Sequence, residues 1–123
     1  MVKHRYAKGA NAERELSRIL KGYGFGVIRS ARSGGSISIP DIVGIKNGIV
    51  LAFECKTWER KPSLRKDEFD EFLDWCKRTS SHGYLAWRKR AKWLFLNIKE
   101  LENKDILKDG VDLEKLLNEF NLL

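Results

Sequence analysis

The feature that most constrains the fold is a pair of apolar, β-rich runs, residues 41–46 and 49–57, separated by Asn47-Gly48. An Asn-Gly pair between two such runs is a strong local signal for a two-residue hairpin turn. A two-residue turn also fixes the register of the two strands, and continuing the ladder from it places Asp41 directly opposite Glu54. The sequence therefore predicts an antiparallel hairpin with two carboxylates facing each other near its open end.

Two opposed carboxylates indicate a cation. Directly opposed residues have Cβ atoms about 4.5–5.5 Å apart, and like charges at that distance destabilise a sheet unless they are neutralised. Magnesium favours one or two carboxylates completed by water and phosphate oxygens, so Asp41 and Glu54 suit it. Lys56 lies two residues after Glu54 and therefore projects from the same face of the strand. The alternative is structural, with Asp41 as a strand-start residue and the other two as an ion pair on an edge strand.

These three groups together can support phosphodiester hydrolysis. A bound metal would polarise a phosphate and lower the pKa of a bound water, and Lys56 could orient that water or stabilise the charge of the transition state. Catalysis at Asp41, Glu54 and Lys56 is the interpretation that the fixed register favours.

The rest of the chain predicts one α/β domain spanning residues 1–123. Helical spacing occupies residues 10–22, a short strand follows at 25–30, a second helix is expected over 63–78, two strands at 83–88 and 92–98, and a last helix from Asp112 to Phe120. This order of elements predicts a mixed five-stranded sheet flanked by helices. A chain of 123 residues can bury a core of that kind without disulfides or metals.

The charge is distributed unevenly along the chain. The formal net charge is +7, with an excess of basic residues in the first 35 positions and of acidic residues after position 97. Arg14, Arg18 and Lys21 fall on one face of the first predicted helix, away from its apolar face. A clustered basic surface indicates a polyanion partner, because Lys and Arg release counterions from phosphates. Charge alone does not choose among DNA, RNA and anionic lipid, and a solvated helix face is the plain alternative.

The sequence offers few residues for a zinc site or for histidine chemistry, and none of the features of a membrane span. The chain has two cysteines, Cys55 and Cys76, and two histidines, His4 and His82, none of them paired at the spacing of a zinc site. No apolar run approaches the roughly 20 residues of a membrane span, and no secretory signal precedes the first helix. We expect a cytoplasmic protein without a membrane partner or a small-molecule substrate.

Two sets of motifs carry a resemblance to a known family. Pro40-Asp41 with Glu54-Cys55-Lys56 resembles the PD-(D/E)xK nuclease motif. The segments KGANAEREL, from residue 8, and GFGVIRSARS, from residue 24, are similar to the opening of the archaeal Holliday junction resolvases. This resemblance covers about residues 8–96. It implies a restriction-endonuclease-like fold, a Mg²⁺ cofactor for which Mn²⁺ can substitute, and a homodimer that acts on four-way junction DNA.

The resemblance also implies roles for individual residues. Glu13 matches a helix-one glutamate and joins Asp41 and Glu54 as an acidic group at the metal. Arg14 and Arg29 match arginines associated with DNA or phosphate contact; the alternative for Arg29 is an ordinary surface residue of the strand. Arg18, from the basic helix face, and Arg32, from the following loop, are added to these contacts. Ser33 aligns with a serine of the catalytic loop, and the neighbouring serines are possible substitutes: Ser30, Ser36 and Ser38.

Aromatic residues leave two interpretations open. Phe69, Phe72 and Trp75 on the second predicted helix are candidates for a subunit contact, although intrachain packing is the simpler expectation for the two phenylalanines. The tryptophans outside this helix, which are Trp58, Trp87 and Trp93, are expected to pack rather than to stack on bases.

The function predicted from the sequence is resolution of four-way junctions by paired symmetric nicks through metal-dependent phosphodiester hydrolysis. Such an enzyme would act in the cytoplasm of an archaeal cell or, if virus-encoded, of the host cell. Two alternatives remain open: another PD-(D/E)xK nuclease acting on linear or damaged DNA, and a non-catalytic junction-binding protein. The second alternative has no need for Asp41 facing Glu54 beside Lys56.

Overall fold

The structure is a computed structural model that describes residues 2–30 and 39–123, with side chains from residue 8 onward. Its elements, in chain order, are α1 (Val2–Gly22), β1 (Gly26–Arg29), β2 (Ile42–Lys46), β3 (Ile49–Lys56), α2 (Lys66–Thr79), β4 (His82–Lys89), β5 (Lys92–Asn97), a 3-10 turn (Ile98–Glu100), α3 (Ile106–Asp109) and α4 (Leu113–Glu119). The first helix extends well before residue 10, where the sequence prediction began it.

The five strands form a single sheet in the order β1-β2-β3-β4-β5. Strands β3 and β4 are parallel because α2 connects them as a crossover, and the other three neighbouring pairs are antiparallel. The mixed five-stranded sheet predicted from the sequence is confirmed.

The β2–β3 hairpin has the predicted turn and register. Asn47 and Gly48 both have positive φ angles, 52° and 78°, as the twist-matched two-residue turn requires. Lys46 pairs with Ile49, and the ladder continues in step to the last pair, Ile42 with Phe53. The residues at the next position of the ladder are Asp41, just before β2, and Glu54 on β3.

Helices cover both faces of the sheet. On one face, α1 and α4 pack against the largest core cluster, which includes Leu16, Leu51, Phe53, Phe95 and Leu116. On the other face, α2, the 3-10 turn and α3 cover two smaller clusters, centred on Ala52 with Phe72 and on Leu85 with Trp87. Successive residues of β3 and β4 point to opposite faces, so the central strands are buried on both sides.

The second helix begins later than predicted. The sequence analysis placed its start near Ser63, just after Pro62, but α2 starts at Lys66. Leu64 packs against the core while the chain is still extended, and Arg65 is the residue that precedes the helix. The backbone N–H of Arg65 donates to Oε1 of Glu68 at 3.0 Å, which satisfies a donor at the helix start.

The last part of the chain is partly as predicted. Helix α4 begins after Asp112, whose Oδ1 accepts from the N–H of Lys115 at 2.8 Å, as expected for an N-cap. The sequence analysis missed α3, because four residues are too few to show a helical period.

Candidate active site

Asp41 is held at the open end of the hairpin by the backbone of β3. Its N–H donates to the carbonyl oxygen of Phe53 at 3.0 Å, and its Oδ2 accepts from the N–H of Cys55 at 2.8 Å. These bonds extend the β2–β3 ladder by one residue. The Asp41 residue is 5% exposed and Glu54 is 8% exposed, so two carboxylates are buried next to each other along the ladder.

Lys56 brings a cation to the same place. Its partner on β4 is Trp87, and Glu54 pairs with Leu85, so both side chains project from the face of the sheet that α2 and α3 cover. The Lys56 Nζ lies 4.0 Å from Oε2 of Glu54 and 3.9 Å from Oε2 of Glu68 on α2. Only 13% of the Lys56 side chain is exposed. The structure therefore brings together Glu54 and Lys56, as the sequence predicted, and adds Glu68.

Glu13, on α1, forms an ion pair with an arginine at the same end of the sheet. The Oε1 atom of Glu13 accepts from Nη1 of Arg29 on β1 at 3.4 Å. This ion pair places a third carboxylate and a guanidinium at the same end of the sheet. The positive charge of Arg29 offsets part of the repulsion among the acidic groups.

The pKa of the Cys55 thiol is affected by the negative charges at this end of the sheet. Burial raises the pKa of Cys55 well above its ordinary value, and the nearby charges of Asp41, Glu13 and Glu54 raise it further, opposed by Lys56. All three carboxylates therefore surround this thiol closely enough to act on it. A thiol in such surroundings stays protonated and packs as a small apolar group rather than acting as a nucleophile.

The donor set fits a hard divalent cation only in part. Within residues 2–30 and 39–123, no group of three His, Cys, Asp or Glu side chains is arranged to hold a metal ion. A metal at Asp41 and Glu54 would complete its coordination with water and phosphate oxygens, which is how Mg²⁺ is commonly bound beside a phosphate substrate. The buried, opposed carboxylates fit that kind of site.

The basic residues of α1 lie on the surface. Arg14, Arg18 and Lys21 are exposed, and Nη1 of Arg14 donates to Oδ1 of Asn11 at 2.9 Å. Arg32 and Ser33, with Ser36 and Ser38, lie outside the described residues. Ser30 is described: its N–H donates to the carbonyl oxygen of Asp41 at 2.8 Å, which places it beside the carboxylates.

A network around Glu15 was missed by the sequence analysis. Glu15 Oε1 accepts from Nε of Arg88 and from Nε1 of Trp93, each at 2.7 Å, and Oε2 accepts from Nη2 of Arg88 at 3.2 Å. The Arg88 hydrogen bonds lower the pKa of Glu15. The partners are 73 and 78 residues away in sequence, so no local pattern could reveal them. The network ties the basic helix to the β4–β5 turn.

A comparison with protein-family models decides the family. Residues 4–122 match the model described as archaeal Holliday junction resolvase (Hjc). This chain belongs to the archaeal Holliday junction resolvase family.

Relatives of the resolvase family agree along most of the chain. This chain is 37% identical over 97 residues to the crossover junction endodeoxyribonuclease Hjc of Methanocaldococcus jannaschii. The match covers 78% of this chain and 70% of that protein. The chain is 31% identical over 108 residues to the crossover junction endodeoxyribonuclease Hje of Sulfolobus acidocaldarius, covering 83% and 78%.

A solved resolvase has the same fold. The structure of Archaeoglobus fulgidus Hjc, a Holliday junction resolvase, superposes with a TM-score of 0.78 at 28% identity and covers 88% of this chain and 98% of its own. The restriction-endonuclease-like fold predicted from the sequence is thereby confirmed. None of the helices in the described part of the chain is long and apolar enough to cross a membrane.

The aromatic residues divide into two groups in this resolvase-family fold. Trp87 is buried, Phe72 is in the α2 cluster, and Phe69 and Trp75 pack against that cluster. Intrachain packing, the expectation for the two phenylalanines, is confirmed. Trp93 packs against the core cluster under α1 and α4, as expected. Trp58 differs because it is 46% exposed, so the expectation that it is a packing residue is not confirmed.

Proposed function

We propose that the chain is a structure-specific endonuclease that resolves four-way DNA junctions by paired nicks. The observation that carries this proposal is the register of the β2–β3 hairpin, which sets buried Asp41 beside buried Glu54 with Lys56 next to them, in a chain of the resolvase family. A protein that only bound junctions would gain nothing from placing two carboxylates side by side in its interior, because like charges at that distance destabilise a sheet.

Asp41 and Glu54, assisted by Glu13, are proposed to hold the divalent metal, Mg²⁺ in the cell, for which Mn²⁺ can substitute. When bound, the cation polarises the scissile phosphate and acidifies a water. Asp41 is positioned for this by the Cys55 N–H, which fixes the orientation of its carboxylate. Glu13 contributes from α1 to the negative field of the site, steadied by Arg29.

Lys56 is proposed to act on the reacting phosphate. Its ammonium group is held between Glu54 and Glu68, so it stays close to the carboxylates that are proposed to bind the metal. From there it can donate to the attacking water or to the phosphate oxygen on which negative charge develops. Ser33, from the segment outside the described residues, is proposed to join it in positioning the phosphate.

Four arginines are proposed to bind the DNA backbone. Arg14 and Arg18 extend along α1 beside the site, and Arg29 and Arg32 belong to the strand and segment that follow it. Backbone contacts of this kind position a duplex without reading its sequence. Recognition of junction shape would follow from holding several arms at once.

A homodimer is proposed because a four-way junction must be cut on two symmetric strands to release two duplexes. Two copies related by a two-fold axis present two equivalent sites. We propose that the enzyme acts on this DNA in the cytoplasm of an archaeal cell or of a virus-infected host.

The proposal is tested by cleavage of an immobile four-way junction in Mg²⁺ beside a linear duplex of the same sequence. Wild type should nick two opposite strands of the junction and leave the duplex intact, whereas Asp41→Asn should bind the junction without cutting it. Equal cleavage of the duplex would favour a general PD-(D/E)xK nuclease. Tight junction binding without any cleavage by wild type would favour an architectural protein.

A further inference from the structure

Trp58 is an exposed aromatic residue at the edge of the candidate active site. It follows Lys56 by two residues, and Lys56 Nζ lies 5.0 Å from the centroid of its ring. Its backbone carbonyl accepts from Nε1 of the buried Trp87 at 2.8 Å, so the main chain under the ring is anchored to the sheet. Trp58 is 46% exposed as a residue on this anchored backbone, so the part of its side chain that Lys56 does not cover is available to a ligand.

The ring borders a groove of about 500 Å³ that is lined by Lys8, Thr57, Trp58, Glu59 and Arg60. This volume lies within the roughly 300–1,000 Å³ of small-ligand sites. Lys8 Nζ lies 3.6 Å from Oε1 of Glu59 across the groove, and Arg60 is exposed beside it. The groove thus combines an aromatic side chain with Arg60 and a Lys8–Glu59 ion pair, and the aromatic ring next to the Arg60 cation suits a base attached to a phosphate backbone.

We propose that Trp58 and this groove form a subsite that stacks one nucleobase of the cleaved strand next to the scissile phosphate. The inference rests on the proposed function. If Lys56 contacts the scissile phosphate, a ring centred 5.0 Å from its ammonium group lies within reach of an adjacent nucleotide. In an open four-way junction a base pair at the branch point lacks a stacking neighbour that it has in a continuous duplex, so stacking on Trp58 costs less there and favours an open junction over linear DNA.

The test places a single abasic residue at each position around the branch point and measures junction binding without divalent metal. For wild type, one position should weaken binding by roughly 5- to 100-fold, the range for loss of one base–aromatic stack. Trp58→Ala should bind the intact junction more weakly by a similar factor and lose nothing further at that position. Trp58→Phe, which keeps a stacking ring, should fall between them.

Leu107→Ala is the matched control, because Leu107 is also a large exposed side chain but lies on α3. Its effect should be independent of the abasic residue at every position. Independent effects of Trp58→Ala at every position would overturn the subsite while leaving the resolvase proposal intact. Failure of wild type to prefer the junction over duplex would overturn both.

A separate observation concerns Glu68. Its Oε1 accepts from the N–H of Arg65 at 3.0 Å at the start of α2, while its Oε2 lies 3.9 Å from Nζ of Lys56. One carboxylate therefore connects the helix start to the ammonium group, and its side chain is only 17% exposed. We infer that Glu68 is a positioning residue, which keeps Lys56 in place through the start of α2.

Glu68→Gln tests this inference with little change to the helix, because the amide oxygen can still accept from Arg65. Single-turnover junction cleavage should fall about 10- to 100-fold, as expected for a displaced catalytic group, with junction affinity unchanged. Acylation of Lys56 by an amine-reactive ester, followed by peptide mass spectrometry, should increase because the side chain is released. Exposed Glu71→Gln on the same helix is the control and should change neither measurement.

Normal cleavage by Glu68→Gln would overturn the inference. Reduced cleavage with unchanged labelling of Lys56 would also overturn it, because the effect would then not act through that lysine. A wild type without junction cleavage would instead refute the proposed function.

Discussion

The backbone N–H of Cys55 donates to Oδ2 of Asp41 at 2.8 Å, across the open end of the β2–β3 hairpin. A carboxylate that lies beyond the last ladder pair is thereby fixed by the strand that carries Glu54 and Lys56. The turn at residues 47–48 sets the register of the two strands. The hydrogen bond from Cys55 then fixes the orientation of the Asp41 carboxylate, which is proposed to bind the metal. Four testable predictions concern the carboxylate pair, the basic face of α1, the Glu15 network and the packing of α2 on β4.

The first concerns metal binding in the absence of DNA. Mg²⁺ should raise the melting temperature of wild type more than NaCl of equal ionic strength, because a ligand that binds only the folded state stabilises it. Asp41→Asn and Glu54→Gln should each lose the specific increase. Asp74→Asn, which alters an exposed carboxylate on α2, should retain it. An equal Mg²⁺ effect on all four proteins would argue against these carboxylates as ligands.

The second concerns the basic face of α1. Arg14→Ala should weaken junction binding, and the slope of log K against log salt should become shallower by about 0.9, as expected for one lost phosphate contact. Lys115→Ala removes an exposed positive charge from α4 instead and serves as the control. A slope for Arg14→Ala that equals that of wild type would mean that Arg14 does not contact phosphate.

The third concerns pH and the Glu15 network. Hydrogen bonds from Arg88 lower the pKa of Glu15 below its usual value of 4.5. The stabilisation it provides is therefore present above that pH and is lost as the pH falls through the lower pKa of the folded state. Glu15→Gln should lower the free energy of unfolding by about 1–2 kcal/mol near neutral pH. This is less than the loss expected for a fully buried ion pair, because both side chains are partly exposed to solvent.

Urea unfolding of both proteins across the acidic range checks this. The difference between wild type and Glu15→Gln should shrink as the pH is lowered through 4.5 and further. A difference that stays constant, or one that grows toward low pH, would contradict the assigned sign.

The fourth concerns packing between α2 and β4. A Cβ added at Gly83 would lie 2.6 Å from Sγ of Cys76 and 3.2 Å from Cζ of Phe72. Gly83→Ala should therefore destabilise the fold by about 1–3 kcal/mol, the usual cost of overpacking. Adding Cys76→Ala should recover part of that loss, because the contacting sulfur is removed. Strict additivity of the two changes, measured by urea unfolding, would show that the contact is not the cause.

Sequence reasoning succeeded where a short local pattern fixes geometry. Asn47-Gly48 determined the hairpin and its register, from which the neighbouring positions of Asp41 and Glu54 followed by counting. Asp112 likewise identified the start of α4 through its side-chain cap. In both cases the deciding contacts lie within a few residues of one another.

Sequence reasoning failed where contacts between distant parts of the chain determine the geometry. Glu15 meets Arg88 and Trp93, and Glu68 meets Lys56, only after the sheet has formed. The late start of α2 has a similar origin, because Leu64 packs on the core before the helix begins. Exposure of Trp58 could not be read from its residue type, since tryptophan is usually packed.

The most direct test of the central claim is cleavage of a supercoiled plasmid that extrudes one cruciform. Two nicks made within the lifetime of one complex convert the circle to a linear molecule, whereas single nicks relax it to an open circle and abolish the cruciform. Wild type should give linear product in Mg²⁺, and Asp41→Asn should give none. Open circles as the only product of wild type, or linear product from Asp41→Asn, would contradict paired resolution at the Asp41 and Glu54 site.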